Sequence, residues 1–230
     1  MSTAHTSVIF DLDGTLVDSE PNYYEAGRRV LAEYGVTDFT WEHHTRFIGI
    51  GTRETLERLN EEYALEASID DLLAGKNRAY LELARTGIHV HPEMRKLVEL
   101  LDAAGVPMAV ASGSSRAAIE AVLAGTGLDA FLTTLVSAEE VAHGKPSPDV
   151  FLEAAHRLGT DPARCVVLED APPGAAAAHA AGMRCIAVPY LPDTATDEAF
   201  RTAGLIFPGG QAEFTAQAAY DWIERSAPAL

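Results

Sequence analysis

Two carboxylates spaced two residues apart, Asp11 and Asp13, end the apolar run Val8-Ile9-Phe10 and are followed at once by Gly14 and Thr15. Continued strand alternation sends both to one side, where their charges repel unless a cation or a shared proton relieves them. A divalent metal held by oxygen ligands is the simplest relief; an acidic turn capping a helix is the bland alternative. Three distant segments supply complementary parts. Ala111-Ser112-Gly113-Ser114 closes another apolar run with a hydroxyl and unobstructed backbone N–H groups, a suitable phosphate cradle. Gly144-Lys145-Pro146-Ser147-Pro148-Asp149 offers a lysine whose direction the prolines restrict, and Glu169-Asp170 closes a further apolar run with more carboxylates.

Those groups need a scaffold that gathers strand ends. Short β-rich runs at Ser7–Phe10, Pro107–Ala111, Thr133–Val136, Cys165–Leu168, Cys185–Val188 and Leu205–Phe207 alternate with helical patterns near Pro92–Ala104, Ser115–Leu123, Pro148–Leu158 and Gly174–Ala181. The alternation predicts an α/β fold built on a doubly wound, Rossmann-like parallel sheet. Open sheets of this kind bind ligands at the carboxyl ends of their strands, where Asp11, Ser112 and Asp170 fall.

Between about Glu20 and Gly87 only helical patterns occur. Asp18 or Ser19 is placed to cap the first, with Pro21 in its first turn. Leu56, Leu59 and Tyr63 mark another, and Ile69, Leu72, Leu73, Tyr80 and Leu83 a third. The expectation is a small all-α cap domain over residues 19–89, inserted after the first strand of an α/β core formed by 1–18 and 90–230. A lid of that kind excludes water from a reaction centre.

The 230 residues carry a net charge of −17, with 47% hydrophobic and 22% charged residues, an ordinary globular balance with enough apolar material for a core. Dispersed acidity argues against nucleic acid or an anionic membrane as a partner. No apolar stretch approaches a membrane span, and Met1-Ser2-Thr3-Ala4-His5 lacks signal-peptide character. Cys165 and Cys185 are expected to be reduced and buried, as in a cytoplasmic enzyme. His89-x-His91 and His43-His44 read as hinge and surface residues rather than metal ligands, because no carboxylate partner recurs at helical spacing.

In order and spacing, the four motifs closely resemble the haloacid dehalogenase-like superfamily of phosphotransferases, over essentially the whole chain and including the place of the helical insert. Within it the chain looks like the branch of β-phosphoglucomutase and small sugar-phosphate phosphatases. The resemblance implies that Asp11 is the nucleophile that forms an aspartyl-phosphate and that Asp13 serves as acid and then as base. It implies Mg2+ on the Asp11 side chain, the Asp13 main-chain carbonyl and Asp170, with Glu169 direct or through water. It implies Ser112, the Gly113 N–H and Lys145 as holders of the phosphoryl oxygens.

Thr15 is either a phosphate contact or the cap of the following turn. Arg53 and Lys76 resemble cap residues with which mutases hold a second phosphate or a hydroxyl, whereas Tyr23 stands where those mutases carry a histidine. Lys76 falls in the middle of an apolar helical stripe, so it either snorkels to solvent or reaches across to substrate.

The resemblance thus implies a Mg2+-dependent phosphatase acting on a small phosphorylated metabolite, a sugar or polyol phosphate, ahead of a β-phosphoglucomutase-type mutase. Dehalogenation has no use for the second aspartate that Asp13 provides. Phosphonate hydrolysis needs a Schiff-base lysine in the cap, a role open only to Lys76. A non-catalytic phosphate-binding module would have lost Asp11, Asp13 or Lys145, and all three are present.

Overall fold

In the computed structural model, which describes residues 6–84 and 87–225, strand β1 (Ser7–Phe10) is buried at every position. The chain continues through β2 (Val17–Asp18), α1 (Glu20–Glu33), α2 (Trp41–Thr45), α3 (Thr52–Glu62), α4 (Ile69–Ala84), β3 (His89–Val90) and α5 (Pro92–Ala103). It then forms β4 (Met108–Ser112), α6 (Arg116–Thr126), β5 (Thr134–Ser137), α7 (Asp149–Leu158), β6 (Cys165–Glu169), α8 (Pro172–Ala180), β7 (Arg184–Ala187), β8 (Leu205–Ile206) and α9 (Ala216–Arg225).

Six strands pair in parallel in the order β5-β4-β1-β6-β7-β8. The chain winds outward from β1 through β4 to β5, then returns to the other side of β1 at β6. That reversal, between β1 and β6, is where doubly wound sheets open a ligand crevice. Phe10 lies opposite Leu168 in the register, so the next residues, Asp11 and Glu169, emerge from neighbouring strands together.

Alternation along the strands sorts the core into two layers. Val8 and Phe10 pack with Val110, Val166, Leu168 and Ile186 beneath α5, α6 and α9. Ile9 packs with Ala109, Ala111, Val167 and Cys185 beneath α7 and α8, and α8 meets that face with Ala175, Ala177 and Ala178, small enough for close approach. Cys165 and Cys185 are both buried and free.

The strands fall within a residue or two of their expected positions. Outside the expectation lie α9 and an antiparallel ribbon pairing Val17 with Val90 and Asp18 with His89, where the chain leaves and re-enters the sheet layer. Between the two ribbon strands, α1 to α4 bury Leu31, Val36, Phe39, Phe47 and Leu59 in one cluster and Val30, Leu56 and Leu72 in another. Ala26, Tyr80 and Ala84 join the layer of the sheet instead. Gly75 lets α4 approach α1, since a Cβ there would stand 3.3 Å from Val30. No helix among the described residues is long and apolar enough to cross a membrane. Met1–His5, where signal character was assessed, lie outside the described residues.

Phe151 of α7 is fully buried against the Ile9 face. Phe151→Ala removes a ring and leaves a cavity that the sheet cannot close, so urea unfolding should show a loss of about 3–5 kcal/mol. A loss under about 1 kcal/mol would mean that this layer is loosely packed.

Candidate active site

Asp11, Glu169 and Asp170 are buried at the ends of β1 and β6, and each offers an oxygen within 4.8 Å of the others. The Asp11 N–H donates to the Leu168 carbonyl at 3.0 Å, which fixes the loop to the neighbouring strand. Lys145, from the loop before α7, donates to Asp11 Oδ1 and to Glu169 Oε1, both at 2.5 Å. Its nitrogen also lies 4.9 Å from the ring centre of Phe151. Glu169 Oε2 accepts the N–H groups of Asp170 at 3.1 Å and Ala171 at 3.3 Å.

One ammonium against three carboxylates leaves the cluster negative. Burial pushes the Asp11 carboxyl far above its usual range, opposed by the Lys145 charge and reinforced by Glu169 and Asp13. Burial, then Glu169 and Asp11, push Asp170 up as well. For Lys145 burial works against the charge, but Asp11 and Glu169 outweigh it and hold its pKa above the ordinary value. Asp170 Oδ1 accepts the Thr15 hydroxyl at 3.0 Å, while Oδ2 is buried with no hydrogen-bond partner. An orphaned carboxylate oxygen within a set of hard oxygen donors fits a divalent cation.

Gly14 makes this approach possible. Its φ is +83°, and a Cβ there would run into the Asp170 carboxylate, so both backbone and space require glycine. The turn is braced from behind by Gln211, whose side-chain N–H donates to the Thr15 carbonyl at 2.9 Å.

Asp13 departs from the expectation of two facing carboxylates. The strand ends at Phe10, the chain turns, and the Asp13 carboxylate meets hydroxyls instead of Asp11. Its Oδ1 accepts from Ser19 at 2.7 Å and Tyr80 at 3.4 Å, and its Oδ2 from Ser112 at 3.0 Å and Ser114 at 2.5 Å. Ser19 therefore begins α1 without a side-chain cap, its hydroxyl being committed to Asp13. Tyr23 hydrogen-bonds Ser114 and stacks on Tyr80 with ring centres 4.1 Å apart.

A cleft separates these strand ends from α1 to α4. Asp11, Asp13, Gly113, Lys145, Glu169 and Asp170 line it, as does Lys76 from the opposite wall. Ser112 lies behind it, fully buried, giving its hydroxyl to Asp13 and accepting the Ser114 N–H at 3.0 Å; Ser114 is the serine at the surface of the cleft. Thr15 is also buried behind, on Asp170. Arg53 points away to an exposed ion pair with Asp70 at 2.7 Å and does not line the cleft.

Lys76 does not snorkel: it is 5% exposed, with its nitrogen 5.3 Å from the ring centre of Tyr23. The surface reading of His44 is likewise corrected. It is buried on the cleft wall and bonds Glu20 at 2.8 Å, because neighbouring helical residues point about 100° apart. His43 takes the other direction, to Glu62 and Tyr63. Sequence patterning missed Glu20 and His44 as cleft residues, since one reads as an acid in a helix first turn and the other as half of a polar doublet.

Burial lowers the Lys76 pKa from 10.5 to about 8, against the pull of Glu20 and Asp13. A lysine whose folded pKa lies below its unfolded one destabilises the fold fully below the folded value, and the penalty fades as pH rises to the unfolded value. Lys76→Met should therefore raise stability at pH 7, by at most roughly 3 kcal/mol, with the gain shrinking between pH 8 and 10.5. Urea unfolding across that range checks this; a loss at pH 7, or a pH-independent gain, contradicts it.

Residues 8–188 match the family described as haloacid dehalogenase-like hydrolase. The chain is 35% identical over 193 residues to the fructose-1-phosphate phosphatase YqaB of Escherichia coli, covering 83% of this chain and 100% of that protein. It is 38% identical over 189 residues to a bifunctional riboflavin kinase/FMN phosphatase of Arabidopsis thaliana, covering 80% of this chain but only 48% of that longer protein. Among solved structures, an aspartate-to-asparagine variant of CbbY from Rhodobacter sphaeroides in complex with xylulose-1,5-bisphosphate superposes with a TM-score of 0.80 at 28% identity, covering 91% of this chain and 96% of that one. On the extent of the family match, the chain belongs to the haloacid dehalogenase-like hydrolases.

Proposed function

We propose that this chain is a Mg2+-dependent phosphatase that hydrolyses a small phosphorylated metabolite, a sugar or polyol phosphate, through an aspartyl-phosphate. The observation that carries the proposal is the buried Asp11 carboxylate, held by Lys145 beside the unpartnered Asp170 oxygen at the β1/β6 reversal. Similarity to a fructose-1-phosphate phosphatase supports the substrate class.

Asp11, Asp170 and Glu169, with the Asp13 carbonyl, would hold Mg2+, which supplies neutralisation of phosphoryl charge. An Asp11 oxygen attacks phosphorus and the bond to the leaving oxygen breaks, with its proton supplied by Asp13. Water then attacks the acyl phosphate, Asp13 takes a proton from it, and inorganic phosphate leaves with Asp11 restored. Lys145 and the Gly113 N–H are suited to hold the phosphoryl oxygens as charge spreads over them. Ser114, at the cleft surface, makes the Asp13 hydrogen bond that a leaving oxygen can replace most directly. Residues 19–89 act as the cap that closes over this chemistry, and 1–18 with 90–230 as the core. Contact already exists where the Tyr23 hydroxyl hydrogen-bonds Ser114.

A mutase must retain and re-engage a bisphosphate. With Arg53 tied to Asp70, no arginine among the described residues lines the cleft to hold a second phosphate, which favours water as acceptor.

Asp11→Asn is isosteric and cannot form the acyl phosphate, so turnover should fall by several orders of magnitude while the fold persists. Phosphate release by purified variant and native circular dichroism check this; substantial activity would sink the mechanism. Asp13→Asn should lose roughly 10²–10⁴-fold on sugar phosphates and far less on nitrophenyl phosphate, whose leaving group needs no proton. Equal losses on the two substrates would remove Asp13 from the acid role.

A further inference from the structure

The helical wall of the cleft carries groups that the phosphoryl chemistry leaves unused. Glu20, in the first turn of α1, and His44, in α2, are 6% and 5% exposed and share an Oε2–Nε2 hydrogen bond of 2.8 Å. The rings of Tyr24, Trp41 and Phe39 pack around the imidazole with centres 5.8, 5.3 and 6.3 Å away, which fixes its direction. Lys76 of α4, 5% exposed, lines the same cleft. Among the described residues Glu20 accepts no hydrogen bond except that from His44, and Lys76 makes neither hydrogen bond nor ion pair, only its contact with the Tyr23 ring. An acceptor oxygen and a donor nitrogen therefore line one cleft with Asp11 and Lys145, uncommitted beyond His44 and the Tyr23 ring.

We propose that Glu20, positioned by His44, and Lys76 form a specificity device that accepts a pair of uncharged hydroxyls on the substrate and turns away a second anionic group. The proposal rests on the reading of the site as a phosphatase. A hydroxyl both donates and accepts, so a diol donates a hydrogen bond to Glu20 and accepts one from Lys76. A carboxylate or second phosphate only accepts: it is met by Lys76 but leaves the buried Glu20 charge beside another negative one. No arginine offsets that repulsion, Arg53 being engaged by Asp70. A site with buried groups awaiting hydroxyls discriminates strongly, because a wrong ligand leaves them unpaired.

The test compares kcat/KM on glycerol 1-phosphate, which bears a diol, on phosphoglycolate, which bears a carboxylate, and on acetyl phosphate as a measure of phosphoryl transfer alone. Wild-type protein should prefer the diol over the carboxylate by about 100-fold or more. Glu20→Gln should cut that ratio at least about tenfold, with KM for the diol rising and that for phosphoglycolate falling. His44→Phe should move the ratio the same way, and His44→Gln, which keeps an N–H donor, should restore most of it. A wild-type preference for phosphoglycolate, or an equal loss on all three substrates in Glu20→Gln, overturns the proposal. Absence of acetyl phosphate hydrolysis by wild-type protein overturns the phosphatase reading, and the proposal with it.

Discussion

Three carboxylates packed into one buried corner are the constraint around which this molecule is arranged. Like charges at this separation, shielded from water, oppose folding unless positive charge stands among them. The sheet topology creates the problem, because the reversal between β1 and β6 brings Asp11 and Glu169 out of neighbouring strands in register. Lys145 answers part of it by bonding two of the three acids. Asp170 keeps an oxygen with no protein partner, and Gly14 exists as glycine because its loop must press against that oxygen. Among the described residues no further cationic side chain pairs with the three acids.

Asp13 shows the opposite solution for a carboxylate one turn away. Four hydroxyls from Ser19, Ser112, Ser114 and Tyr80 surround it, two on each oxygen. Two of those donors belong to the segment that carries α1 to α4 and two to the sheet edge, so the carboxylate joins both sides of the cleft. Each of these donors is a neutral hydroxyl, so the carboxylate is satisfied by hydrogen bonds and not by an opposing charge.

Much of this was legible in the sequence where a local rule governed the residue. Abrupt ends of apolar runs located Asp11, Glu169 and Asp170, and the strand–helix alternation gave the parallel sheet that unites them. Local rules failed where a side chain had two legitimate directions. Helical periodicity put Lys76 on an apolar stripe but could not say whether the stripe faced solvent or a cleft; Glu20 and the packing of α1 on α4 settle it. Arg53 matched a cap motif yet pairs with Asp70 on the exposed surface. Ser19 carried the signature of a helix cap and was drawn to Asp13 by tertiary proximity. Strand alternation past Phe10 predicted facing aspartates, and the turn at Leu12–Gly14 cancelled it.

The central claim is that the buried acid cluster is electrostatically incomplete without a divalent cation, and the thermal midpoint with and without Mg2+ tests it most directly in wild-type protein and Asp170→Asn. Asparagine preserves the shape and the oxygen that accepts from Thr15 while removing one negative charge. The account predicts that, without metal, Asp170→Asn melts higher than wild type, and that added Mg2+ raises the wild-type midpoint but barely moves that of the variant. A variant that melts lower without metal, or a wild-type midpoint indifferent to Mg2+, would contradict it.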